Sequence, residues 1–382
     1  MTRSRFTRTR PRSIAAAAAL AVAALVAAPH AGAALAAVPA VAAVAPSATA
    51  VVGLENVAHF DHVVVLTEEN SSAKTTFAET SPATYLKSLR GKGVFLPNYY
   101  GTSHVSLGNY IAMVSGQVPN PTNTTDCLGL SLWTCVQPQT AQAGGRNLAD
   151  QLEEAKLGWK AYADGATTPC FHATYSATDP SPDLYQGNST TGAKNYADRH
   201  NPFLYFADVI GNQSRCDAHQ RPFSDLAVDV ANNTLPAFSF ITPDTCNDGH
   251  DNPCAGQTTG GLTTADAFAK KNLPALLDYL AKNNGLLIIN FDEGGYPSGT
   301  ADATATSTDY YCAACAGGGI GGRTGAILVS PRLKAGTTDT SPYDHYSLLR
   351  TIEDTFGIAE HLGQADQADP FAMPLAAVRR TH

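Results

Sequence analysis

Six short runs of β-branched and aliphatic residues recur along the chain, at 62–67, 94–98, 159–163, 237–242, 286–291 and 326–330. Continuous apolar runs of this length suit strands buried on both faces. Between them, 82–90, 147–156, 223–232, 263–282 and 346–356 repeat apolar residues at helical spacing. The alternation predicts an α/β fold, a mainly parallel central sheet with helices on both faces. Ligands of such sheets gather beyond the carboxyl ends of the strands, so the residues just after each run are the ones to inspect for chemistry. VVVLT leads into Glu68-Glu69-Asn70, FSFIT leads through Pro243-Asp244 to Asn247-Asp248-Gly249-His250-Asp251, and LLIINF leads into Asp292-Glu293-Gly294-Gly295. Acids, an amide and a histidine thus converge on one sheet edge.

Both ends of the chain break this pattern. Arg3, Arg5, Arg8, Arg10 and Arg12 precede an apolar run at 14–28 and small residues at 31–33, which predicts a secretory signal peptide over 1–33. The apolar run is shorter than the ~20 residues that span a bilayer, so no stable membrane insertion is expected of the mature, secreted protein. Residues 34–51 carry no charge and no aromatic side chain and read as a flexible leader. One domain over 52–362 and a C-terminal tail over 363–382 account for the rest. The net charge of -8 is spread along the chain, which argues against a nucleic-acid partner or a polybasic membrane patch. Eight cysteines in an exported chain suggest disulfides, with Cys127 and Cys135, Cys246 and Cys254, and Cys312 and Cys315 close in sequence. Cys312-Ala-Ala-Cys315 has a zinc or redox alternative, although a zinc site wants a second ligand pair. The glycine-rich stretch 317–322 lacks the Lys-Ser/Thr of a phosphate-binding loop.

Glu69, Asn70, Asp292 and Glu293 form a set of hard oxygen ligands, suited to Mg²⁺, Ca²⁺ or Mn²⁺ better than to Zn²⁺. Clustered without a cation, the three acids would repel one another. A second element starts at Ser106, where Leu107, Ile111 and Val114 share a helical face and Gly116 is a suitable stop. Ser106 then takes the N-cap position, with its hydroxyl toward solvent beside unpaired N–H groups that bind phosphate well. By itself such a serine reads as a cap. A neighbouring metal would lower its hydroxyl pKa and make it a nucleophile.

EEN after the first strand, HVSLGNY, RHNPF (199–203), CNDGHD (246–251), NFDEGG (290–295), GGRTGAILVSP (321–331) and YDHYSLLRTIED (343–354) together resemble the bacterial phosphoesterase family. That family comprises secreted acid phosphatases and phosphatase-like phospholipases C with an alkaline-phosphatase-like fold. The resemblance implies that Glu69, Asn70, Asp292 and Glu293 hold a divalent metal, that Ser106 is the nucleophile and that Asn109 stabilises phosphoryl oxygens. It makes His200 and His250 phosphate-contacting or acid/base groups, with His345 a further substrate contact. Asp248, Asp251 and Asp344 would orient these imidazoles. The branch with phospholipase C activity carries ENRSFD and a threonine followed by Pro-Asn-Arg, whereas this chain has Glu69-Asn70-Ser71-Ser72-Ala73-Lys74 and Ser106-Leu107-Gly108-Asn109-Tyr110. It is closer to the acid phosphatases, so the expected substrate is a small-molecule or lipid phosphomonoester, phosphoinositides included. Gly108 stands where that branch commonly has proline. The rival expectations are a phospholipase C-type phosphodiesterase and an exported, non-catalytic metal-binding or adhesion domain.

Overall fold

His62–Glu68 forms strand β1, and every residue from Val63 to Glu68 is buried because β1 runs through the middle of an eight-stranded sheet. The computed structural model describes residues 57–127, 135–137, 145–172, 195–294 and 306–377, all within one compact unit, Ala50–His382. The other strands are β2 (Val94–Leu96), β3 (Tyr99–Tyr100), β4 (Trp159–Ala163), β5 (Gln220–Pro222), β6 (Phe238–Thr242), β7 (Gly285–Phe291), β8 (Ala326–Val329), β9 (Thr337–Thr338) and β10 (Tyr343–Asp344). The sheet order is β5-β4-β6-β1-β7-β8-β2-β9, and only β8 runs against its neighbours. β1 pairs in parallel with β6 and β7, which aligns Val63 with Phe238 on one side and Leu286 on the other. The three strands expected to deliver acids to one edge are therefore adjacent. β3 and β10 form a separate two-stranded pair.

Alternation along the central strands divides the core into two layers. Val63, Val65, Phe240 and Ile288 pack with Leu107, Ile111 and Val114 of the helix Ser106–Ser115 and with Leu348 and Ile352 of the helix His345–Thr355. Val64, Leu66, Ile241 and Ile289 face Phe268, Leu273 and Leu276 of the helix Leu262–Lys282 and Leu86 and Leu89 of the helix Thr84–Leu89. Ala83 cannot cap the latter helix, so Asp266 does so from the neighbouring one, accepting from the Tyr85 and Leu86 N–H groups. The five helices anticipated from spacing are present within one or two residues of the expected ends.

Cys127–Cys135, Cys246–Cys254 and Cys312–Cys315 are disulfides, and Cys170–Cys216 joins the remaining two cysteines. This removes the zinc alternative for Cys312 and Cys315. The segment expected as a tail from 363 onward is packed as far as Met373: Phe371 lies edge-on to Tyr99 and Tyr343 in the core. The signal peptide and leader assigned to 1–51 fall outside the described residues. Among those described, no helix is long and apolar enough to cross a membrane.

Candidate active site

The parallel pairing of β6, β1 and β7 places Glu69, Asp248 and Asp292 around one buried point, and the segment 198–200 adds His200. Glu69 leaves β1 with its N–H donated to the Asp248 carbonyl (2.8 Å), which binds the β1 end to the loop after β6. His200 lies in a 3-10 turn, Asp198–His200, whose final carbonyl accepts from the Thr242 hydroxyl. Its ring stacks on Tyr110 at 5.1 Å between centroids. The His200 Nδ1 is 3.0 Å from Asp248 Oδ2 and its Nε2 is 3.1 Å from Glu69 Oε1. A neutral imidazole has one N–H. With that proton donated to Asp248, the Nε2 lone pair faces a carboxylate oxygen, and neither atom has a hydrogen-bond partner.

Such an arrangement of acceptors calls for a cation. Ligand atoms of Glu69, His200 and Asp248 all lie within 4.8 Å of one another. Burial, with the charges of Asp292 and Asp248 added, raises the Glu69 carboxyl well above its usual range. Burial likewise raises Asp248, and takes Asp292 up to about 6. The same burial, with the Arg199 charge added, pushes His200 well below the usual histidine range. Asp292 Oδ2 is a further buried oxygen without a partner. The donor set thus fits a divalent ion, and the His200 nitrogen makes it less purely oxygen than the sequence implied.

Ser106 is the first residue of its helix and not the cap: Val105 precedes it at φ 77°, a strained conformation for a β-branched residue. Its hydroxyl does not point to solvent as expected, but is buried and donates to Glu69 Oε2 at 3.2 Å. Two carboxylates hold the turn. Glu293 Oε1 accepts from the Val105 N–H at 3.2 Å, and Asp126 Oδ1 accepts from the Leu107 N–H at 2.8 Å. The other Glu293 oxygen is 2.6 Å from His104 Nδ1. Burial, then Asp292 and Asp126, raise the Glu293 carboxyl to about 9. Gly108 has a positive reason to be glycine, since a Cβ there would lie 2.8 Å from Ser103 Oγ.

Four of the implied ligands or contacts are used differently. Asn70 has φ 53° and an exposed side chain; it is the backbone N–H that contributes, donating to Asp292 Oδ1 at 3.1 Å. Asn109 cannot reach a phosphoryl oxygen, because its Oδ1 accepts from the Thr102 and Ser103 N–H groups and its Nδ2 donates to the Ser103 carbonyl. It shapes the loop leading to Ser106. His345 is fully buried, with Nε2 donating to the Asp292 carbonyl (2.6 Å) and Nδ1 accepting from the Tyr99 hydroxyl (2.6 Å). Burial lowers its pKa to about 3, so it remains a neutral prop behind Asp292. Glu293 is engaged with the Ser106 turn, which takes it out of the Glu69 cluster.

His250, in contrast, is one-fifth exposed. Asp251 Oδ1 is 2.9 Å from its Nδ1, with Asp251 Oδ2 held by the Thr245 hydroxyl, and Asp248 Oδ1 accepts from the His250 N–H. The Cys246–Cys254 disulfide encloses this loop. Arg199 NH2 is 3.1 Å from His250 Nε2, so the imidazole accepts there and carries its proton on Nδ1. Arg199 is only 2 % exposed and contributes the arginine charge at the centre of an acidic site. Its place in RHNPF is the only sequence signal for it, and that signal assigns it no role. Asp126, in a run of Asn and Thr, offers no signal at all. Glu68 stands in the EEN motif without an assigned role: it leaves β1 on the face opposite Glu69, fully buried, with both carboxyl oxygens lacking hydrogen-bond partners.

Compared with known families, the sequence matches the Phosphoesterase family over residues 75–359. The chain belongs to that family. A relative from Kluyveromyces lactis described as "Probable acid phosphatase" is 29% identical over 328 residues, covering 84% of this chain and 63% of that protein. A "Phosphatidylinositol-3-phosphatase" from Mycobacterium tuberculosis is 25% identical over 311 residues, covering 81% of each. A "Phospholipase C B" from the same species is 26% identical, over 56% of this chain and 39% of that protein. Against the acid phosphatases from K. lactis and Aspergillus fumigatus, this phosphoesterase chain spans 63% and 52% of the relative's length. A solved structure of a protein in the alkaline phosphatase superfamily from Vibrio parahaemolyticus overlaps 82% of this chain and 71% of that one, with TM-score 0.48 and 12% identity.

Proposed function

We propose that this phosphoesterase hydrolyses phosphomonoesters with Ser106 as nucleophile and a divalent ion held among Glu69, His200, Asp248 and Asp292. The observation that carries the reading is the Ser106 hydroxyl donating to Glu69 Oε2 while Glu69 Oε1 lies 3.1 Å from His200 Nε2. A cation bound there would lower the serine pKa and offset the charge of the phosphoryl group. Ser106 Oγ attacks phosphorus in line with the ester oxygen, passing its proton toward Glu69, and the ester P–O bond breaks. A phosphoserine forms, and water attack at phosphorus then frees phosphate and restores the hydroxyl. Arg199 binds phosphoryl oxygens as a fixed positive charge. His250, oriented by Asp251 and partly exposed, would protonate the leaving alkoxide from Nε2 once Arg199 turns from that nitrogen to the phosphoryl group and Nε2 takes up a proton from solvent. His200 is too deeply buried for that task and serves the ion. Its imidazole shifts the preference among Mg²⁺, Ca²⁺ and Mn²⁺ toward Mn²⁺ and admits Zn²⁺.

Substrates of the acid-phosphatase type fit this reading, and phosphoinositides are included because of the mycobacterial relative. Four disulfides support a working place in an oxidising, extracytoplasmic compartment. Ser106→Ala should abolish turnover of p-nitrophenyl phosphate with an unchanged melting temperature. Retention of more than a few per cent of metal-dependent activity would refute the nucleophile. Wild-type kcat/KM should also be far higher for p-nitrophenyl phosphate than for p-nitrophenyl phosphorylcholine. A diester rate equal to or above the monoester rate would move the reading to the phospholipase C type, and ion binding without any turnover would make the domain non-catalytic.

A further inference from the structure

The segment before Cys127 brings a carboxylate to the nucleophile's own helix. Asp126 Oδ1 accepts from the Leu107 N–H at 2.8 Å, and Asp126 Oδ2 is 4.0 Å from Arg199 Nε. Leu107 directly follows Ser106, so its N–H is one of the four donors that the start of a helix leaves without an internal partner. Val105, at the cap position, makes no side-chain capping bond. Arg199 is buried and touches His250 on its other side. A donor one residue after the nucleophile, beside a desolvated guanidinium, is where an oxygen of the transferring phosphoryl group gains most. An anion is already there, supplied by the chain itself.

Holding it there is costly. Asp126 and Cys127 adopt φ of 54° and 57° in succession, a conformation that non-glycine residues avoid, and Cys127 is tied to Cys135. Asp126 also adds to the repulsion at Glu293. A helix start can be capped far more cheaply by a serine or aspartate at the preceding position.

We propose that Asp126 is a specificity-determining residue whose carboxylate occupies, in the free protein, the Leu107 N–H beside the Arg199 charge, a place that a phosphoryl oxygen takes in the complex. A substrate must displace it or bind beside it, and the electrostatic penalty is largest for the dianionic phosphate of a monoester. Asp126 therefore restrains affinity for monoesters and for free phosphate, and narrows the gap between monoester and monoanionic diester. The inference rests on the phosphatase reading above for the identity of the ligand.

Asp126→Asn keeps an acceptor for the Leu107 N–H and removes the charge, whereas Asp126→Ala removes both. Titration calorimetry with inorganic phosphate and with orthovanadate, on the metal-loaded protein, reads the subsite without turnover. Both variants should bind these anions at least about fivefold more tightly, the size of one like-charge contact at close range in water and a lower bound for a partly buried one. Their kcat/KM ratio for p-nitrophenyl phosphate over p-nitrophenyl phosphorylcholine should rise by a similar factor. If Asp126 is only a helix cap, the Ala variant loses melting temperature, the Asn variant does not, and anion affinity stays as in wild type. That outcome overturns the proposal, as does weaker binding in both variants or an absence of anion binding in every form. Failure of the phosphatase reading appears separately, as tight anion binding without turnover of any ester.

Discussion

Replacing Asp292 with asparagine should have opposite effects with and without metal. The asparagine retains an acceptor for the Asn70 N–H, and the bonds from His345 to the 292 carbonyl and from the 292 N–H to Glu68 are backbone contacts that survive. What disappears is one negative charge in a buried cluster with Glu69 and Asp248. Burial raises Asp292 from 3.8 to about 6, so the folded, metal-free protein keeps a proton that the unfolded chain has released. The wild type therefore has this contribution in full below about pH 4 and loses it as pH rises through 6. A shift of this size converts to about 3 kcal/mol at about 1.36 kcal/mol per unit. In chelator at pH 8, Asp292→Asn should be more stable than wild type by that order, roughly 6 °C in melting temperature for a domain of this size. At pH 4 the two should coincide. With saturating Mn²⁺ the order should reverse, because the variant loses an ion ligand and so gains less from binding. Thermal denaturation from pH 4 to 8, with chelator and with Mn²⁺, makes the measurement. A variant less stable than wild type in chelator at pH 8, or one stabilised by metal as much as wild type, would refute the reasoning.

Gly108→Ala brings a methyl group within 2.8 Å of Ser103 Oγ. Helix propensity favours alanine by about 1 kcal/mol and overpacking opposes it by about 1–3 kcal/mol. The melting temperature should therefore move little while kcat/KM for p-nitrophenyl phosphate falls roughly tenfold; full activity would show that the Ser103 loop does not set the position of Ser106. Far from the site, burial raises Glu353 from 4.5 to about 8, so its contribution is complete below about pH 4.5 and lost as pH rises through 8. Glu353→Gln should flatten the decline in melting temperature between pH 5 and 8.5, and parallel wild-type and variant curves would show the group does not titrate in this window.

The central architecture is readable in the sequence because doubly buried parallel strands leave an unmistakable trace, continuous apolar runs such as VVVLT and LLIINF. Edge strands Gln220–Pro222 and Thr337–Thr338 are too short and polar to announce themselves. The acids at strand ends are legible for the same reason as the strands. Their division of labour is not, because it depends on side-chain direction and on partners far along the chain. Glu69 and Glu293 are alike in sequence, yet one meets Ser106 and His200 while the other braces Val105 and His104. His345 resembles a site histidine until its two nitrogens are seen to be engaged by Tyr99 and a carbonyl. Ser106 looks like the cap because the true cap, Val105, is a residue with no side-chain signal for capping. Arg199 and Asp126 act through contacts of long sequence separation that no local pattern encodes.

The placement of β1 also dictates an order of assembly. It is the earliest strand among the described residues, but its two neighbours begin at residues 238 and 285. A polypeptide emerging from its N-terminus must carry Val63 to Leu66 unsatisfied until residues as distant as these have been made. Local turns and helices can form meanwhile, but the sheet cannot close around its own middle until the end of β7 is available, and contacts of such long range slow folding. The two glutamates at the end of β1 then have a role before any chemistry begins. They terminate an exposed, adhesive strand with charge, which discourages pairing with other chains. The same carboxylates that make the finished site electrically uncomfortable keep its unfinished precursor apart from its neighbours.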